Sequence, residues 1–167
     1  MNASEMVQRK RKTARKTTIV LLWIVFLSTV LLFFGNLEYA SRIIPTALFN
    51  YGLLIVNPFM FLYHTLSYYS VPMIPVTVAL AVIAAIPLIG CWLMDKGKIL
   101  GRSLVFYPEL LSIVMTVLLG FYIIYSLDGT EIVYLVPGYL LMLVSGILIP
   151  SLILLFLNRW SPKIEKT

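Results

Sequence analysis

Glu109, in "YPELLS", is the one carboxylate that adjoins the interior of a long apolar run. An ionisable group inside a membrane span is a functional hypothesis by default, here a proton or cation site, because burying it is costly. A structural role competes with that reading. Pro108 suits the first position of a helix, which puts Glu109 in a first turn, where the helix dipole and unpaired N–H groups favour a carboxylate. The second candidate set is Asn50, Asn57 and His64, which recur every seven residues and are followed by Tyr68. That spacing returns to one helical face and makes a thin polar stripe on an otherwise apolar segment. His64 is the only histidine, a lone titratable group suited to sensing external pH or relaying a proton, and equally suited to a hydrogen bond at an interface.

Catalytic constellations are missing. Asp95 and Asp128 are the only aspartates, and the topology derived below places them on opposite sides of a membrane, so they make no aspartyl pair. The chain has no GxSxG, HExxH, Walker or glycine-rich dinucleotide pattern. One histidine rules out a multi-histidine metal site, and the single cysteine, Cys91, rules out an intramolecular disulfide or CxxC redox pair. The expectation is a protein without catalytic residues, metal or cofactor. Glu38 and Arg42, spaced i, i+4, read as a solvated rim pair.

The elements that must position these residues follow from hydropathy. Hydrophobic residues make up 60% of the chain and charged residues 12%, with a mean hydropathy of +0.96, against about 25% charged in soluble domains. This composition belongs to an integral membrane protein, all-α, with one membrane domain over residues 1–167. "TTIVLLWIVFLSTVLLFFG" exceeds the length of a signal-peptide core, and Glu38 stands where a small residue should precede a cleavage site, so the run reads as an uncleaved anchor. Two further spans are plain at about 106–127 and 133–157.

Ile43 to Met94 carries no formally charged side chain over 52 residues, long enough for one or two crossings at about 20 residues each. Charge counting separates the two. With one crossing, twelve Lys and Arg lie on one side and only Arg42 on the other; with two, the division is six against seven. The positive-inside bias selects the first. Four spans result, at about 17–36, 71–94, 106–127 and 133–157, with both termini cytoplasmic in the plasma (inner) membrane. The determinants are Arg9, Lys10, Arg11, Lys12, Arg15 and Lys16 in the N-terminal tail (1–16); Lys96, Lys98 and Arg102 in a basic loop (95–105); and Arg159 and Lys163 in the C-terminal tail (158–167). Trp92 and Trp160 flank basic segments, as interfacial indoles do. The basic tail reads as a contact to anionic lipid rather than to nucleic acid.

The segment 37–70 then stays extracytoplasmic. Within it, Asn57-Pro58 is a helix-start signal that divides about 43–69 into two half-helices too short to span. Such a helix-break-helix fits an interfacial cover best, ahead of a re-entrant hairpin or a fifth span. Thr77, Ala81 and Ala85 repeat every four positions and mark a close-packing face, as do Gly138 and Gly146 in the last span. "GKILG" matches GxxxG but lies in the charged loop and is read as having no packing role.

These features point first to a non-catalytic accessory, regulatory or immunity-type protein that acts by helix–helix contacts in the bilayer. Its partners would be membrane lipid and either another membrane protein or a second copy of itself. The alternative is a small oligomeric transporter or channel that uses Glu109 and the Asn50/Asn57/His64 stripe.

Overall fold

The computed structural model describes residues 3–35, 57–59, 62–63, 66, 72–126 and 132–160. These residues form four helices and no strand: α1 (Ala3–Gly35), α2 (Met73–Asp95), α3 (Leu100–Ser126) and α4 (Ile132–Trp160). Three of them contain stretches long and apolar enough to cross a membrane, Ser4–Leu31, Ile74–Asp95 and Leu100–Tyr122; in α4 the corresponding apolar stretch, Val144–Trp160, is shorter.

The helices pack as a closed square. α1 touches α2 and α4, and α3 touches α2 and α4. Two polar contacts fix their directions. Arg15 near the start of α1 bonds Asp95 at the end of α2 at 2.6 Å, and Arg102 near the start of α3 donates to the Asn158 side chain near the end of α4 at 3.0 Å. The beginnings of α1 and α3 and the ends of α2 and α4 therefore share one end of the bundle, called here the charged end. Gly35 and Met73 lie at the far end, so the chain between them begins and finishes there.

Each helix buries one stripe and turns large apolar side chains outward. Thr77, Leu80, Ala84, Pro87 and Cys91 face inward on α2, while Val78, Val82, Ile89 and Trp92 are exposed. The α2–α3 corner is a Schellman stop: Gly97, at φ +73°, donates to Met94 O (2.9 Å) and Lys98 N–H reaches Leu93 O (3.0 Å). Only a left-handed residue closes that turn cheaply, which is the work of Gly97.

Two sequence readings change. Pro108 does not start α3; the helix begins at Leu100 and carries Pro108 in its interior. Pro108 leaves the Leu104 carbonyl without its usual donor, a defect that neighbouring helices let membrane helices tolerate. In addition, the glycine discarded with "GKILG" does pack. A Cβ on Gly101 would clash with the Gly90 carbonyl and the Met94 amide, and a Cβ on Gly90 would lie 2.7 Å from the Gly101 carbonyl. α2 and α3 meet backbone to backbone at this point.

Candidate functional site

The interior holds two kinds of packing. Toward the charged end, Leu22, Val25, Ala84, Cys91, Val105, Ile153 and Leu157 form an apolar cluster drawn from all four helices. Farther along, buried polar side chains replace it: Thr29 on α1, Thr77 on α2, Ser112 and Thr116 on α3, Ser145 on α4, and Asn57 from the chain between α1 and α2; Glu109 on α3 is also buried, at the level of the apolar cluster.

Asn57 is fully buried. Its amide donates to Thr29 Oγ1 at 3.0 Å, and its side-chain oxygen accepts from Phe59 N–H at 2.8 Å. The second bond has N-cap geometry, with Pro58 at the first helical position and Tyr63 N–H bonded to Phe59 O at 2.9 Å one turn on. The Pro58 carbonyl lies 3.3 Å from where a Cβ on Gly146 would stand, and the same Cβ would press on the Thr116 side chain at 2.7 Å. Gly146 thus makes room for both Thr116 and the Asn57–Pro58 corner. Counted along the helices, Thr29 lies about 21 Å from Arg15, Thr116 about 21 Å from Arg102 and Gly146 about 18 Å from Asn158, so the corner sits at one level, well inside the bundle. A segment lying flat across the far end would not bring the Asn57 amide to Thr29.

Most of the other hydroxyls are satisfied by their own helices. Thr18 donates to Ala14 O, Ser28 and Thr29 to Val25 O, Thr77 to Ile74 O and Thr116 to Ser112 O. Such back-bonding is how a membrane helix hides a hydroxyl, and it gives these residues a structural role. Ser112 differs. Its Oγ is buried and has no hydrogen-bond partner among the described residues, and the residue is 7% exposed. It also lines a cavity of about 180 Å³ between α2 and α3, walled by Leu80, Ile83, Leu111, Met115 and Leu119 and closed by Pro58, Phe59 and Leu62. Leu111 and Met115 face outward as well, so the cavity opens sideways between the two helices.

Glu109 is 5% exposed and lies in the third turn of α3, not the first. The helix-start explanation of this carboxyl does not hold. Among the described residues no cation pairs with it: Arg102 is engaged by Asn158 and Arg15 by Asp95. Glu109, Ser112 and Thr116 recur at intervals of three and four, one face of α3, and this pattern was available from sequence for the two hydroxyls that reasoning passed over.

The remaining predicted residues distribute as follows. Thr77 is buried, whereas Ala81 and Ala85 are half-buried at the edge of the stripe that Leu80 and Ala84 occupy. Gly146 is buried at the corner described above; Gly138 lies in α4, outside the part of that helix whose side chains are described. Asn50, His64 and Lys163 lie outside the described residues. Arg9, Lys10, Arg11, Lys12 and Lys16 are exposed along the start of α1; Lys96 stands 3.9 Å over the Trp92 ring, and Lys98 and Arg159 are exposed at the same end. Among the described residues no three His, Cys, Asp or Glu side chains group as metal ligands. No protein-family model, curated protein or solved structure matches the chain.

Proposed function

We propose that this chain is a four-span plasma (inner) membrane protein that binds a membrane partner without catalysis, through the lateral opening between α2 and α3. The observation that carries the reading is Ser112. An unpaired hydroxyl in hydrocarbon costs about 1–3 kcal/mol, and a partner that supplies an acceptor recovers it. The cavity around Ser112 is apolar and compares with the roughly 150 Å³ voids that admit one benzene ring, so it suits a single inserted side chain. A partner helix lying along Leu111 and Met115 and presenting a carbonyl-bearing or hydroxyl side chain to Ser112 fits both features. Gly90 and Gly101 close the α2–α3 seam toward the charged end, so its lateral opening lies farther along, at the Ser112 cavity.

The topology part of the proposal rests on the gathering of the basic residues of α1, the α2–α3 turn, α3 and α4 at the charged end, which the positive-inside bias assigns to the cytoplasm. Tyr107 and Tyr125 on the outer face of α3 are about 27 Å apart, close to the thickness of a hydrocarbon core, and suit its two interfaces. The buried Asn57 favours a re-entrant segment over an interfacial cover, since irregular backbone at membrane depth requires protein around it.

The test is to fill the cavity. Ser112→Leu should abolish stoichiometric recovery of the partner protein, or of a second copy, from membranes, while leaving the monomer folded. Undiminished recovery with Ser112→Leu would refute the docking site. The transport alternative is favoured by one specific observation, a buried Glu109 with no cation beside it among the described residues. Proton or cation flux into proteoliposomes that vanishes with Glu109→Gln would establish that reading in place of the first.

A further inference from the structure

We infer that the charged end carries a stoichiometric site for one anionic phospholipid, in a cleft between the start of α1 and the end of α4. The cleft has a volume of about 720 Å³, within the range of ligand sites at roughly 300–1,000 Å³. Arg9, Lys10 and Arg11 line one wall and Arg159, from α4, lines the opposite wall; Ala14 and Phe156 provide apolar surface at its inner edge, and among the described residues no acidic one contributes to the lining.

A run of basic residues before a membrane helix is ordinarily a solvated face that holds lipid diffusely. Two facts set this cleft apart. Its cations come from two helices and share a concave surface, and the Arg159 guanidinium lies 5.9 Å from the Phe156 ring, which restrains it beside apolar surface. Guanidinium groups bind phosphate oxygens in pairs, which suits them to a phosphodiester. Depth chooses the lipid over other phosphates: Ala14 and Phe156 adjoin the Arg15–Asp95 pair and Trp160, the level at which the apolar spans begin and where headgroups meet the protein. The headgroup phosphate would lie among Arg9, Lys10, Arg11 and Arg159, with the beginning of an acyl chain against Phe156.

The experiment compares two variants of equal charge in the full-length protein. Phosphatidylglycerol binding is measured by native mass spectrometry and in nanodiscs of phosphatidylcholine with rising phosphatidylglycerol. Arg11→Gln/Arg159→Gln should weaken retention of one phosphatidylglycerol by about thirtyfold, at roughly fivefold per cation. Lys96→Gln/Lys98→Gln, which removes the same charge from the same end, should change it less than about threefold. Equal losses in the two variants would mean diffuse attraction and overturn the site. Displacement of the lipid by millimolar inorganic phosphate would identify a free-anion site, and displacement by polyglutamate a surface for acidic protein; either outcome contradicts the assignment.

Discussion

The two halves of the bundle are built by opposite rules. At the charged end α2 and α3 meet through Gly90 and Gly101, apolar side chains fill the centre, and the Arg15–Asp95 and Arg102–Asn158 contacts tie the helix ends together. Beyond that, the centre is polar, and the chain itself enters at Asn57 to complete it. A bundle in lipid gains little from burying apolar groups, so close backbone contact and hydrogen bonds must supply its specificity. The charged half uses the first device and the far half the second. Two polar groups of α3 are left without a partner among the described residues, the hydroxyl of Ser112, where the polar packing begins, and the carboxyl of Glu109, level with Leu22 of the apolar cluster, which is why function is placed on α3 where the two kinds of packing meet.

That contrast can be broken most severely at Gly101. Gly101→Leu drives a side chain into the α2 backbone and should cost about 3 kcal/mol or more, seen as loss of the folded monomer in a detergent thermal-melt series. Gly97→Ala, where nothing lies within 4 Å and only the positive φ is strained, should cost about 1 kcal/mol. A smaller disruption than at Gly101 is expected in the polar half. Gly146→Ala should cost about 1–3 kcal/mol through its clash with Thr116, and Thr116→Ala in the same chain should recover most of that loss, because the added methyl then keeps only the 3.3 Å approach of the Pro58 carbonyl. Recovery would show that Gly146 is there to admit Thr116; failure would transfer the constraint to the Pro58 carbonyl.

Asn57→Ala comes next, at about 1–2 kcal/mol, since it removes both the bond to Thr29 and the cap on Phe59. Thr29→Val alone should cost less than Asn57→Ala, because the cap survives, and the double variant should fall short of the sum. The smallest effect belongs to the charged end: Asp95→Asn, at a partly exposed ion pair, should change stability by less than about 1 kcal/mol and lose that effect in high salt. An Asp95→Asn cost larger than that of Asn57→Ala would reverse the proposed division of labour.

The four helices, three of them with stretches long and apolar enough to cross a membrane, were legible because hydrocarbon imposes length and charge gaps that a sequence displays directly, and the nearness of Arg15 to Asp95 is consistent with the same charge counting. The site was legible only in part. Glu109 and Asn57 stand out as polar residues in apolar runs, and the Asn-Pro pair announces a helix start whose cap bond is present. Pro108 misled because a proline opens many helices, whereas here Leu100–Tyr107, a largely apolar stretch anchored by Arg102, extends α3 outward by two turns. Gly101 was dismissed because the motif around it is charged, yet what a helix crossing needs is the absence of a Cβ at one position, and that is independent of the neighbours' charge. Thr29 gives no local sign, since its partner is 28 residues away. Ser112 gives none either: a serine in a membrane helix ordinarily bonds its own backbone, and only the three-dimensional placement reveals one that does not.

Everything in the far half depends on the chain re-entering the bundle at Asn57, and that is open to direct measurement in native membranes. With Cys91 replaced by serine, Thr29→Cys and Asn57→Cys place two thiols where the amide-to-hydroxyl bond stands. Mild oxidation should join them rapidly within one chain, and neither should react with a membrane-impermeant maleimide. Free thiols after oxidation, together with labelling of the cysteine at position 57 from outside, would place this segment on the membrane surface and contradict the polar half as described.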